Sequence, residues 1–185
     1  MIVKTDIFLP CHLLYKLKQS TRDCITLWIY SPFGILKKVV SDLFFFKKTS
    51  GCLTLYFVFQ KRLLEKAATL TQVTLLRNSF IGLSRKHRVA LRIKGVGFKV
   101  RIKPGETGRN LTLALGYSHL LTFKLPKGCS VALVGKKKLA FNGICYQELT
   151  QLVSYIQSFK SPDPYKGKGL NYKYKVKILK QGKKT

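Results

Sequence analysis

The sequence predicts an α+β chain of two similar units, each a small, mostly antiparallel sheet with one helix packed on it. Three observations predict it. Short runs rich in β-branched and aromatic residues sit between Pro- and Gly-bearing breaks, as strands sit between tight turns. Two longer stretches carry apolar residues at helical spacing. The order of strands and then a helix occurs twice within 185 residues, a length that holds one domain or two small ones. The boundary falls after residue 83, giving units 1–83 and 84–185. They share a plan, not detectable sequence identity.

In the first unit, residues 25–30 and 35–40 read as strands around the turn Ser31-Pro32-Phe33-Gly34. Phe44-Phe45-Phe46 and residues 53–59 read as two more, separated by Thr49-Ser50-Gly51. From 61 to 83 the spacing is helical, with Leu64, Ala67, Ala68, Thr71 and Leu75 on one face.

The second unit opens with residues 88–103, whose apolar positions are Val89, Leu91 and Ile93, then Val96, Phe98, Val100 and Ile102. The phase slips by one residue at Gly95-Val96-Gly97, which predicts one strand with a bulge there. Leu111, Leu113 and Leu115 alternate next, and Gly116-Tyr117-Ser118-His119 turns the chain into Leu121, Phe123 and Leu125. Residues 131–134 and 139–141 flank a run of three lysines, 136–138. A second helix carries the stripe Cys145, Leu149, Leu152, Val153, Ile156 and Phe159. Pro162 and Pro164 stop it, because proline cannot donate the helical hydrogen bond. A last strand is predicted with Tyr172, Tyr174, Val176 and Ile178 on one face and Lys173, Lys175 and Lys177 on the other.

Charge narrows the function. Lys and Arg number 35 against 7 Asp and Glu, a net charge of +28. Such a chain repels itself until counterions or a polyanion offset the charge, so nucleic acid is the first partner to consider. Residues 1–83 carry 12 basic and 4 acidic side chains, residues 84–185 carry 23 and 3, and the second unit is the stronger candidate for contact. A hydrophobic content of 46% argues against a disordered basic tail.

Other classes fare worse. The longest uncharged stretches, 110–123 and 24–36, hold 14 and 13 residues, short of the roughly 20 that span a membrane. The second class considered, a basic membrane-surface protein, lacks an amphipathic helix with aromatic anchors. The first residues lack the order of a signal or transit peptide, so the chain is expected to be made where it works or to have lost such a segment. Five cysteines without a C-x-x-C pattern, and three histidines apart from them, predict neither a disulfide framework nor a metal site. Gly95-Val96-Gly97 lacks the third glycine of a dinucleotide loop, and Gly167-Lys168 lacks the Ser or Thr of a P-loop. No enzyme, cofactor or small-molecule substrate is expected.

Between helix and last strand lies Ser161-Pro162-Asp163-Pro164-Tyr165-Lys166-Gly167-Lys168-Gly169-Leu170. The prolines stiffen it, so that less entropy is lost on docking. Gly167 and Gly169 would let backbone N–H groups approach an anionic surface. Lys166 and Lys168 can meet phosphates, and Tyr165 can stack on a base or pack beneath the loop. The plain alternative is a solvated loop with a tyrosine anchor. Lys173, Lys175 and Lys177 on one strand face would repel each other without a polyanion. Arg is scarce, 8 against 27 Lys by count, which speaks for phosphate and shape recognition over bidentate base readout.

Residues 162–170 resemble the signature of the universal large-ribosomal-subunit protein six family, in its bacterial type. Lys94-Gly95-Val96-Gly97-Phe98, the run Leu113-Ala114-Leu115-Gly116-Tyr117-Ser118-His119 and the closing Gly182-Lys183-Lys184 resemble further elements of that family, in the same order. The similarity covers about residues 73–185 and is faint before them. It implies two α+β units, binding to large-subunit rRNA near the stalk base and the factor-binding region, neighbouring large-subunit proteins as partners, and no enzymatic activity. It implies RNA contacts at Tyr165, Lys166, Gly167, Lys168 and Gly169, and weaker ones at Ser118 and His119. Leu120 departs from the family, as do Phe141-Asn142-Gly143-Ile144 and the apolar, aromatic first unit. A Lys-, Phe- and Leu-rich chain with a drifted first unit is expected in a mitochondrial ribosome, in the matrix, with a plastid or the bacterial cytoplasm as alternatives. The apolar surplus of residues 24–60 is expected to meet protein neighbours unless its aromatics are buried in the chain's own core.

Overall fold

The computed structural model describes residues 2–8, 13–21, 24–41, 44–49, 52–58, 63–105, 108–126, 128–135, 137–175 and 178–182. Lys177, Lys136 and the predicted turn residues 50–51 and 106–107 lie outside them. The chain is α+β, with antiparallel sheets and helices packed against them. It divides into two compact units, Met1–Lys86 and His87–Thr185.

The first unit runs β1 (Ile2–Phe8), β2 (Leu14–Thr21), β3 (Cys24–Ser31), β4 (Gly34–Ser41), β5 (Phe44–Thr49), β6 (Cys52–Val58) and α1 (Leu63–Arg85). Its sheets have the orders β1-β6-β5 and β2-β3-β4. The hairpin β3–β4 forms around its predicted turn, and the two strands predicted after it, β5 and β6, pair antiparallel. β1 and β2 are not among the predicted strands; Lys4 and Asp6 interrupt the apolar run of β1, and Lys16 and Lys18 that of β2. α1 packs on β3 and β4. Its buried face is Thr69, Val73, Leu76, Phe80 and Leu83, whereas Ala67, Ala68 and Thr71 of the predicted face are exposed. Burial goes to the bulkier side chains, and alanine favours a helix without needing burial. At its end the Lys86 N–H donates to the Gly82 carbonyl at 2.9 Å. The Ser31 hydroxyl donates to the Leu83 carbonyl at 2.7 Å, which ties the β3–β4 turn to the helix.

The second unit runs β7 (His87–Lys94), β8 (Lys99–Gly105), β9 (Gly108–Ala114), β10 (Leu121–Lys124), β11 (Cys129–Leu133), β12 (Lys138–Gly143), α2 (Tyr146–Ser158) and β13 (Gly169–Tyr172). The predicted bulged strand 88–103 is in fact two strands. β7 belongs to the sheet β11-β12-β7-β13 and β8 to the sheet β10-β9-β8. The phase slip at Gly95-Val96-Gly97 is therefore a turn between sheets, with Gly97 at φ +75° and Val96 88% exposed. Val89, Leu91 and Ile93 of β7, Leu111, Leu113 and Leu115 in and after β9, and Leu149, Val153 and Ile156 of α2 share one buried core. The predicted stripe of α2 is thus the face that packs.

The last strand also differs from expectation. It begins at Gly169 and ends at Tyr172, antiparallel to β7. After the Lys173 N–H donates to the Ala90 carbonyl at 2.9 Å, the chain turns, and the Lys175 N–H reaches back to Tyr172 at 3.4 Å. Lys173 and Lys175 therefore do not share a strand face. β7 stops at Lys94, opposite Gly169, and this fixes where pairing begins.

Candidate nucleic-acid interface

The loop 161–168 is held in shape by its one acidic residue. The Asp163 carboxylate accepts the N–H groups of Tyr165 and Lys166, each at 3.1 Å. The Asp163 carbonyl accepts the Gly167 N–H at 3.0 Å, and its own N–H donates to the Lys168 carbonyl at 2.9 Å. These backbone donors, helped by Lys166 and Lys168 nearby, hold the Asp163 carboxyl below the ordinary carboxylate range. The loop is anchored at both flanks. The Leu170 N–H donates to the Lys160 carbonyl at 2.9 Å and the Lys180 N–H to the Pro164 carbonyl at 3.0 Å.

Both loop glycines are buried, and their reason is internal. A Cβ on Gly169 would stand 2.7 Å from the Ser161 carbonyl oxygen and 2.9 Å from that of Lys160, at φ +132°. Gly167, at φ +65°, packs against Leu179. Their missing side chains let the loop fold on itself, which presents Tyr165, Lys166 and Lys168 outward, all exposed.

The loop does not act alone. Lys166 and Lys168 line an open groove of about 640 Å³ with Arg92 and Lys94 of β7, Lys137 and Lys138 at the start of β12, and Gly95 and Val96. Among the described residues no carboxylate lines it. Lys138 and Arg92 are direct cross-strand partners, and Asn171 faces Arg92 from the other side. Like charges placed opposite each other destabilise a sheet. An adjoining hollow of about 190 Å³ adds Lys173 and Lys175 beside Arg92 and Lys94. Tyr172 also lines it; burial and Tyr174 push its phenol up, so it stays neutral beside the lysines.

Ser118 and His119 lie elsewhere on the same unit, in an exposed bend after β9. The Tyr117 hydroxyl donates to the Phe159 carbonyl at 2.6 Å, and the Lys160 ammonium sits 4.7 Å from the Tyr117 ring centre. Tyr117 and His119 stack at 6.1 Å. The bend thus docks on the chain just before the loop.

Arg92, Lys94, Lys137 and Lys138 are the members that sequence reasoning left unassigned. Period-two alternation against buried Leu91 and Ile93 places Arg92 and Lys94 on the outer face. Their convergence with the loop depends on pairing register, which no local pattern encodes. Among the described residues no three His, Cys, Asp or Glu stand together as metal ligands would. The Cys129 thiol is pushed up by burial and by the nearby Glu148 and Cys145, and stays protonated. No helix among the described residues is long and apolar enough to cross a membrane.

Residues 94–173 match the family Ribosomal protein L6. By its second unit, the chain is similar to the ribosomal protein L6 family. The match takes in the groove residues from Lys94 to Lys173, leaves Arg92 just outside, and is shorter than the stretch 73–185 that the motifs suggest. Among the relatives, the large ribosomal subunit protein uL6 of Trichlorobacter lovleyi is 39% identical over 110 residues, 60% of this chain and 59% of the relative. Its counterpart in Mycoplasma capricolum is 38% identical over 113 residues, 61% of each. That of Buchnera aphidicola is 34% identical over 114 residues, 62% of each. The chain thus matches about three fifths of the length of these bacterial relatives.

Proposed function

We propose that the chain is a structural, non-enzymatic constituent of the large ribosomal subunit, held on large-subunit rRNA by the basic groove of its second unit. The observation that carries this reading is the row Lys138–Arg92, two cations directly opposite in one sheet with Lys94, Lys137, Lys166 and Lys168 around them. The arrangement costs folding stability, and a phosphate backbone is the ligand that offsets it. Lysines displace counterions from phosphates, and the stapled loop supplies a rigid register.

In this reading Lys166, Lys168, Lys173, Lys175 and Lys177 meet phosphates and Tyr165 meets a ribose or base. Gly167 and Gly169 shape the approach, and Ser118 and His119 make a second, weaker contact. Residues 84–185 are the rRNA-binding unit and 1–83 a divergent companion. Family resemblance supports a site near the stalk base and the factor-binding region, beside other large-subunit proteins. The excess of Lys over Arg, 27 against 8, and the drifted first unit support a mitochondrial ribosome, with plastid or bacterial cytoplasm as alternatives. Fractionation of the source cell decides among them.

Charge reversal separates folding from binding. Lys138→Glu replaces a like-charge pair with an opposite one, worth about 0.2–1 kcal/mol to the sheet. It should raise Tm slightly while weakening binding to large-subunit rRNA fragments. Lys166→Ala with Lys168→Ala should flatten the slope of log K against log salt by roughly 0.7–0.9 per lysine. Unchanged RNA affinity in both variants would leave the groove without this role.

A further inference from the structure

The first unit, which the family match does not reach, presents a second surface with the chemistry of a nucleic-acid platform. On β3, Ile25, Leu27 and Ile29 alternate with Thr26, Trp28 and Tyr30. Leu27 and Ile29 are fully buried, and with Val40 of β4 they form the face toward α1. The opposite face is read from the ladder register. Tyr30 lies between Leu14 and Ile35, Trp28 between Lys16 and Lys37, and Thr26 between Lys18 and Val39.

This face is open. Leu14 is 72% exposed and Ile35 62% exposed, Lys16, Lys18 and Lys37 are exposed, and the two aromatics between them are half-buried. The aromatics are therefore not sealed in the chain's own core. No carboxylate occurs at any of these nine positions. Lys16 and Lys37 flank Trp28 from the neighbouring strands, about 10 Å apart at two strand spacings. The Lys37 ammonium lies 5.4 Å from the Trp28 ring centre, so the ring already receives a cation on its exposed face.

We propose that this face of the β2-β3-β4 sheet binds a single-stranded RNA segment, with bases stacked on Trp28 and Tyr30 and phosphates on Lys16, Lys18 and Lys37. Two side chains of one strand on one face give a stacking platform for successive bases, and flanking lysines track the backbone. Stacking of a base is stronger than an exposed cation–π contact, so an incoming base displaces Lys37 toward phosphate. A protein partner would find three cations and no compensating acid on this face, and would leave them to be desolvated.

Trp28 is the chain's one tryptophan, so its fluorescence reports this face alone. The probe is a 12-nucleotide oligouridylate titrated into the full-length chain carrying Arg92→Ala, Lys166→Ala and Lys168→Ala, which weakens the second unit's groove. The expected result is quenching of Trp28 that persists in this background. Adding Lys16→Ala and Lys37→Ala, both exposed and remote from the core, should lower the salt slope by about 1.4, near 0.7 per lysine on a single strand. RNA binding without a Trp28 response, or quenching that the groove substitutions abolish, would overturn the proposal. Ultraviolet cross-linking in the intact particle gives a second readout. A peptide spanning Trp28 that carries a nucleotide supports RNA. The same peptide joined only to another protein overturns the proposal in favour of a protein neighbour.

Discussion

Asp163 carries a negative charge in the most basic part of the chain, and that charge is spent inside the loop. Its carboxylate binds two consecutive backbone N–H groups and so fixes the exposed Tyr165 and Lys166 behind which it lies. Asp163→Ala should speed amide exchange at Tyr165 and Lys166 and weaken rRNA binding a few-fold, with Asp163→Asn intermediate because one acceptor oxygen remains. The sign of the pH dependence follows from its lowered pKa. Its contribution is complete above the ordinary carboxylate value and is lost only as pH falls through the lower, folded value. The loop's exchange protection should therefore be flat from neutral pH down to the ordinary carboxylate range, and drop below it. Loss of protection near pH 6 would contradict the assignment. From sequence, Asp163 reads as one letter of a motif; its role depends on the turn that brings the two N–H groups to it.

At the scale of elements, the glycines divide into two kinds. Gly97, at φ +75° between β7 and β8, has open space where a Cβ would stand, so Gly97→Ala meets backbone strain alone, about 1–2 kcal/mol. Gly169 opens β13 against two backbone carbonyls, and Gly169→Ala should cost more, roughly 2–4 kcal/mol. Denaturant unfolding of the full chain at high salt checks the order, and equal losses would contradict the packing read at Gly169. The elements themselves are legible in the sequence wherever a local pattern suffices, as in the stripe of α2 and the hairpins of β3–β4 and β9–β10. They are not legible where a non-local partner decides. Periodicity marks a break at residues 95–97 but cannot distinguish a bulge from a passage between sheets. The last strand starts at Gly169 because Lys94 of β7 lies opposite, and the face of α1 is chosen by the strands beneath it.

At the scale of the whole molecule, a net charge of +28 is the dominant fact, and each unit displays its cations in its own way. The second unit gathers lysines from a loop, a strand end and a hairpin into a groove around the Lys138–Arg92 row. The first lays lysines beside aromatics on a sheet face. The composition predicts a polyanionic partner, and the segment 162–170 carries the resemblance to a ribosomal protein family. Which cations converge is not legible there, because Arg92, Lys138 and Lys166 are brought together by register. The most direct test of the central claim is a sucrose gradient of a native lysate, following this chain at low salt and then at raised salt with magnesium retained. Co-migration with the large subunit that survives the salt step is the predicted result. Release into the light fractions would contradict it, leaving a chain that binds polyanions by charge alone.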